Sequence, residues 1–164
     1  MKKTLFIIAA LFISVCCKAQ EEIPFPFQGG STAMSQFFRD SVAVSPEIVH
    51  KKAVGTVIFK FTADINGNIK KVIIYYADDY VLTTPLIEAL KKSNHKWVIP
   101  NHEKTHDFVI PFTVYFNLPS TDSKAVTDGL YQFFTERKPI LSTNQIPMDD
   151  ATLLPTIVVR YDLP

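Results

Sequence analysis

The chain has 164 residues, a length that favours one domain. It carries 17 basic and 16 acidic side chains, so it lacks the strong positive charge typical of nucleic-acid-binding domains. Its two cysteines, Cys16 and Cys17, both lie near the N-terminus. The rest of the chain therefore has no disulfide, thiolate metal site or cysteine nucleophile, and its core must be stabilised by packing. No cofactor is predicted.

The first 19 residues have the pattern of a secretory signal peptide. Two lysines precede an apolar run over residues 5–17, and small residues before the cut suit cleavage after Ala19. The run has 13 residues, fewer than the roughly 20 that an uncleaved membrane anchor needs. Lipidation at Cys16 or Cys17 is the other alternative, although the preceding Ile13-Ser14-Val15 is a poor match to a lipoprotein signal. We therefore expect an exported and processed chain.

A β-hairpin over residues 55–76 is the strongest structural signal. Both flanks are rich in β-branched and aromatic side chains, and Asn66-Gly67 between them suits a tight turn. Alternate residues of the first strand are apolar: Val57, Phe59, Phe61 and Ala63. Alternate residues of the second strand are predicted to share a face: Val72, Ile74 and Tyr76. A period of two with one polar face is typical of an antiparallel sheet that covers a core on one side.

Helices are predicted where apolar residues recur three and four positions apart. They cover residues 32–43, 46–52 and 84–94, and a further helix begins after Ser123 and ends near Pro139. Together with strands at residues 108–117 and 156–161, these elements predict an α+β fold. The expected architecture is an antiparallel three- to four-stranded sheet with two or three helices packed on one face. The predicted core comprises Phe37, Phe38, Val57, Phe59, Phe61, Val72, Ile74, Leu86, Leu90, Trp97, Phe112, Val114 and Phe116.

The order of several short motifs resembles the TonB C-terminal domain family. The motifs are Gly29-Gly30 before a helix, Pro46 after it, Gly55-x-Val57, Asn66-Gly67-x-Ile69, the Leu86/Ala89/Leu90 helix, Trp97-x-x-Pro100, and a last strand from Pro111 to Phe116. The resemblance divides the chain into a signal peptide (1–19), an extended lead-in (20–30), a TonB C-terminal-like domain (31–118) and a C-terminal helix and strand extension (119–164).

This resemblance implies a non-enzymatic protein-binding module of the periplasm. In the family, the domain binds an extended segment of an outer-membrane receptor by adding it as a strand to its own sheet. Full TonB proteins also have a membrane-spanning anchor and a long proline-rich region, which this sequence does not show. We therefore expect a protein or peptide partner in the envelope, linked to outer-membrane transport, and a role in binding rather than in energy transduction. A homodimer is left open.

The predicted partner-binding site is the strand at residues 108–116, taken as an edge of the sheet. Pro111 lacks a backbone donor and therefore suits an edge. The expected contact residues are Val109, Pro111, Thr113 and Tyr115. The apolar strand at residues 156–161 is expected to join the sheet beside a neighbour that the sequence does not identify. If that neighbour is the strand at residues 108–116, the edge is closed.

Other patterns suggest alternative functions. His102-Glu103-x-x-His106 matches the zinc-protease motif and allows a metal-dependent hydrolase, but that chemistry needs both histidines on one long helix. Residues 101–107 are too few for such a helix, so a surface loop is favoured. Asp78-Asp79 suggests an acid pair, a cation site or, more typically, a solvated turn. Four tyrosines suggest either a ligand cleft or ordinary packing: Tyr75, Tyr76, Tyr80 and Tyr115. A self-associating structural subunit of the envelope is the remaining alternative.

Overall fold

The computed structural model describes residues 25–100, 103–118, 124–143 and 150–163, so the predicted signal peptide and His102 lie outside the described residues. Those ranges contain four α-helices: α1 (Gly30–Ser41), α2 (Pro46–Lys51), α3 (Thr83–Lys92) and α4 (Lys124–Glu136). They also contain six strands: β1 (Gly55–Asp64), β2 (Ile69–Ala77), β3 (Thr105–Phe116), β4 (Ile140–Leu141), β5 (Thr152–Leu153) and β6 (Ile157–Tyr161). The helix predictions are confirmed, with small shifts at their ends. No helix within the described ranges is both long and apolar enough to cross a membrane.

The predicted hairpin forms β1 and β2, which pair antiparallel across a turn at Gly67. Gly67 has a positive φ of 73°, a conformation that glycine adopts without strain. A Cβ atom at this position would also lie 2.7 Å from the carbonyl oxygen of Trp97. The backbone N–H of His95 donates to the Gly67 carbonyl at 2.8 Å, so the turn is tied to the segment that follows α3. Glycine is therefore required here both by the turn and by close packing.

Two bulges in β2 correct the predicted faces of that strand. Ile58 pairs with Tyr76, whereas the next residue, Phe59, pairs with Ile74, so one extra residue of β2 lies between these pairs. Neighbouring residues of a strand point to opposite faces, and Tyr76 therefore lies on the face opposite Ile74 rather than beside it. A second irregularity brings Ile69 opposite Ala63, on the core side.

The fold is α+β, as predicted, but its sheet is larger than expected. The described strands follow the order β4-β2-β1-β3-β5, and β6 also pairs with β3. β5 and β6 run parallel to β3, whereas the other pairs are antiparallel, so the sheet is mixed. β4, β5 and β6 all come from the C-terminal extension, and of these the sequence predicts only β6. That extension therefore shares one sheet with the predicted TonB-like segment.

The core lies between one face of the sheet, here called the inner face, and helices α1 and α3. Met34 and Phe38 of α1 and Leu86 and Leu90 of α3 are fully buried in the same cluster as the inner-face residues of β1. Most of the predicted core is confirmed. Phe37, Val72 and Ile74 are only partly buried, although they pack against the cluster.

Trp97 fills the space between the hairpin, β3 and the segment before α1. Its ring centroid lies 4.5 Å from that of Phe61, 5.1 Å from that of Phe27 and 5.4 Å from that of Phe108. The indole N–H donates to the Ser93 hydroxyl at 2.9 Å, so the buried polar atom is satisfied. Trp97 is 3% exposed, and the prediction that it is a core residue is confirmed.

Replacing Trp97 with alanine should lower the free energy of unfolding by about 3–5 kcal/mol, because it would leave a large cavity among three aromatic rings. Chemical denaturation of the purified protein measures this. Leu118→Ala is the matched control, since Leu118 is 80% exposed and its truncation should change stability by less than about 0.5 kcal/mol. A loss below about 1 kcal/mol for Trp97→Ala would contradict this view of the core.

Candidate functional site

The strand predicted to be a free edge is an interior strand. β3 pairs with β1 along residues 105–114 and, on its other side, with β5 and β6. The prediction that residues 108–116 form an open edge is therefore wrong. The physical reason is that the apolar residues of β6 find on β3 both backbone partners and access to the core.

Pro111 is tolerated inside the sheet because it faces a break between two partner strands. β5 pairs with β3 at Phe108 and Val109, and β6 pairs with it from Phe112 onward. Ile110 and Pro111 thus lie opposite the connection between β5 and β6. A missing backbone donor costs nothing where no ladder hydrogen bond is available. Pro111 therefore does not mark an edge of the sheet. It lies opposite the gap between β5 and β6.

The other predicted contact residues lie on the sheet face away from the core, here called the outer face. Val109 pairs with Lys60, and Thr113 pairs with Thr56. Lys60 and Thr56 lie on the polar face of β1, so Val109 and Thr113 lie on the same face of the sheet. Tyr115 lies beneath Arg160, whose guanidinium carbon is 4.6 Å from the ring centroid. The face therefore brings together Val109, Pro111, Thr113 and Tyr115, as predicted, but as part of a surface rather than as an edge.

One ion pair crosses the middle of this outer face. The ammonium group of Lys60 lies 2.9 Å from Oδ2 of Asp107, and Lys60 is only 5% exposed. The hydroxyl of Thr62 donates to the other oxygen of Asp107. A buried charge needs such a partner, because removing it from water without one is costly. This pair joins β1 to β3 on the side that the described helices leave uncovered.

β6 is packed into the core and is not a loosely bound cover of β3. Ile157, Val159 and Tyr161 are at most 6% exposed and belong to the core cluster. The Tyr161 hydroxyl donates to the Ala53 carbonyl at 2.9 Å, and burial raises the pKa of that hydroxyl. Exposing each of these side chains would cost about 1.5–3 kcal/mol. A partner strand that displaced β6 would have to replace the whole of this contribution.

One open edge of the sheet, among the described residues, is on β2. β4 covers only Tyr76 and Ala77, and no described strand pairs with residues 69–74 on the side away from β1. At the start of the edge, the Asn94 side chain accepts a hydrogen bond from the Ile69 N–H at 2.8 Å. Lys70 lies 2.8 Å from Asp64, and Lys71 is exposed on the outer face. Lysines are common on edges because they discourage unspecific strand pairing.

The zinc-protease motif does not lie on a helix in its described part. His106 is the second residue of β3, and its two ring nitrogens lie 2.6 Å from Glu103 Oε2 and 2.7 Å from the Thr152 hydroxyl. Both nitrogens thus already have partners. Among the described residues, which exclude His102, no three histidine, cysteine, aspartate or glutamate side chains are grouped to hold a metal ion.

Asp78 and Asp79 are structural rather than solvated, so the prediction of a solvated turn is wrong. Asp78 accepts hydrogen bonds from the Thr56 N–H, the Tyr76 hydroxyl and Arg137 at 2.6–3.0 Å. Asp79 is 2% exposed and accepts from the backbone N–H groups of Val81 and Lys138. These two carboxylates tie the end of α4 to the end of β2.

The tyrosines are spread over separate environments. Tyr76 bonds to Asp78, Tyr80 donates to Glu47 at 3.2 Å, and Tyr115 stacks with Arg160. None of the four tyrosines lines the groove beside Trp97 or the groove between α2 and α4.

The described residues form at least two surface grooves. One, of about 330 Å³, lies beside Trp97 and the hairpin turn. The other, of about 370 Å³, lies between α2 and α4 and is lined by several basic side chains. We call the second one the basic groove. The sequence does not reveal this groove, because its lysines come from two segments about 85 residues apart. Asp79 brings the second segment close by accepting a hydrogen bond from the backbone N–H of Lys138.

Comparison with protein-family models, with curated proteins and with solved structures finds no match.

The ion pair at the open edge should make the protein less stable in acid. The hydrogen bond from Lys70, with others from Asn68 and Asn66, holds the pKa of Asp64 well below its ordinary value of 3.8. A carboxyl whose pKa is lower in the folded state adds stability above its unfolded pKa and loses it as the pH falls further. Between pH 5 and pH 2, Asp64→Asn should therefore show a smaller loss of unfolding free energy than the unsubstituted protein.

Equilibrium denaturation at a series of pH values measures that difference. Asp128→Asn, at an exposed position of α4, is the control and should keep the full pH dependence. Identical acid profiles for Asp64→Asn and the unsubstituted protein would show that the ion pair has no such role.

Proposed function

We propose that the chain is a non-enzymatic, exported protein-binding module of the periplasm that binds an extended partner segment by adding it to its sheet. The observation that carries the proposal is the unpaired side of β2 along residues 69–74. Unpaired backbone N–H and C=O groups of an edge strand bind any chain that presents the complementary ladder. The proposal moves the predicted binding strand from β3 to β2.

The contrast between β3 and β2 supports this choice. A partner at β3 would have to displace β6 and expose Ile157, Val159 and Tyr161. A partner at β2 would displace no described strand, because β4 ends its pairing at Tyr76. The open run covers residues 69–74, and its first N–H, that of Ile69, already donates to Asn94. The run therefore offers only a few backbone hydrogen bonds, each contributing about 0.5–1.5 kcal/mol. The expected affinity is therefore modest.

The charge of the edge suggests what the partner carries. Lys70 is neutralised by Asp64, whereas Lys71 has no ion-pair partner among the described residues. An acidic side chain of the added strand opposite Lys71 would gain a cross-strand pair. The preferred segment is thus extended, carries a carboxylate, and has apolar residues that continue the inner face beside Val72 and Ile74.

The proposed compartment and partner class rest on the sequence. The N-terminal pattern suits export, and the resemblance to the TonB C-terminal domain family favours a partner in the envelope that is linked to outer-membrane transport. The alternative of a metal-dependent hydrolase gains no support from the described geometry of Glu103 and His106.

Site-specific photocross-linking in the envelope tests the proposal. A photoreactive residue in place of Lys71 lies beside the open edge, and one in place of Thr113 lies on the outer face over an interior strand. Cross-links to an envelope protein should form from position 71 and not from position 113. A synthetic peptide of the cross-linked segment should then slow amide hydrogen exchange along residues 69–74.

The other outcomes are equally informative. Cross-links from position 113 alone would move binding to the outer face and contradict strand addition at β2. Cross-links between copies of the chain from position 71 would support the self-associating subunit instead. If no cross-link forms from either position, the proposed function is wrong.

A further inference from the structure

The basic groove lies between α2 and α4, beside Asp79 in the loop that follows β2. It is bounded by the last turn of α2, by α4 and by the residues that follow α4. Its lining residues are His50, Lys51, Lys52, Asp79, Gly129, Gln132, Phe133, Glu136, Arg137 and Lys138. Four of these are lysine or arginine and two are carboxylates. A volume of about 370 Å³ suits a small ligand rather than a folded partner.

Not all of this positive charge is neutralised within the described part of the chain. Lys51 pairs with Glu47 at 2.8 Å, and Arg137 pairs with Asp78 at 3.0 Å. Lys52 and Lys138 have no ion-pair partner among the described residues.

The two carboxylates of the lining are already in use. Asp79 accepts from two backbone N–H groups, and Glu136 accepts from Gln132 at 3.2 Å. They can offset the charge of the lysines only from a distance.

Two of the lysines also lie near the same aromatic ring. The ammonium of Lys51 lies 5.1 Å from the ring centroid of Tyr80, and that of Lys138 lies 6.0 Å from the same centroid. Positive charge from α2 and from the residues after α4 is therefore available to an anion in the groove.

Gly129 gives Lys52 its place in the groove. A Cβ atom at residue 129 would lie 2.7 Å from Cδ and 2.8 Å from Nζ of Lys52. Glycine inside a helix costs about 0.5–1 kcal/mol relative to alanine. Here its missing side chain lets the Lys52 side chain lie directly against α4. This close approach places the ammonium group of Lys52 beside the groove.

We propose that the basic groove binds a small phosphate-bearing ligand. Lys52 and Lys138 supply the opposing charge, because ammonium groups bind phosphate oxygens as point charges. His50 and Gln132 line the same space and can donate hydrogen bonds to the remaining oxygens. Phe133, which lies against the core with 4% of its surface exposed, forms the apolar wall for the rest of the ligand.

Titration with inorganic phosphate and with glycerol 3-phosphate, followed by NMR chemical shifts of the full chain, tests this site. Saturable shifts should appear at residues 50–52 and 129–138. Equal affinities would show that the site recognises the phosphate group alone, and tighter binding of the ester would show that it also contacts the organic part. The absence of saturable shifts with both compounds would overturn the proposal.

Three substitutions and a control locate the binding. Lys52→Met and Lys138→Met should each weaken binding about tenfold, since each removes one charge-assisted contact. Gly129→Ala should weaken binding while it preserves or raises the melting temperature, because alanine favours the helix but displaces Lys52. Lys91→Met, at an exposed site of α3, should change affinity less than twofold. Equal losses for Lys52→Met and Lys91→Met would show unspecific charge attraction and overturn the site.

Discussion

The pairing of β6 with β3 is the interaction on which the rest of the structure depends. Five residues of β6 align in parallel with residues 112–116 of β3. The same strand places Ile157, Val159 and Tyr161 in the core, and its last residue bonds to the segment between α2 and β1. Without β6, the backbone edge of β3 at residues 112–116 and the side of α1 that contacts β6 would be exposed. The C-terminal extension is therefore part of the domain.

This pairing also bears on the strand addition that we propose. A parallel neighbour from the same chain closes the side of β3 that the sequence suggested as a docking edge. On the opposite side of the sheet, β4 pairs with two residues of β2, and no described strand pairs with residues 69–74 on that side. Asp78 and Asp79 hold the end of α4 just before β4, so the same contacts that complete the fold also limit how far β2 is covered.

Local patterns in the sequence predicted the local structure well. The alternation from Val57 to Ala63 gave the inner face of β1, and the turn at Asn66-Gly67 gave the hairpin. What failed depended on distant partners. Nothing near Pro111 indicates that the facing strand is interrupted there, and nothing near Tyr75 shows the bulge that reverses the face of Tyr76. The buried role of Asp79 follows from Lys138, which is 59 residues away.

Native-state hydrogen exchange of β6 tests the central claim most directly. The amides of Ile157–Tyr161 that bond to β3 should exchange only through global unfolding, with the same free energy as the amides of β1 around Phe59. Fast exchange along β6 while β1 stays protected would show that β6 is not part of the cooperative core. In that case β3 would be the open edge after all.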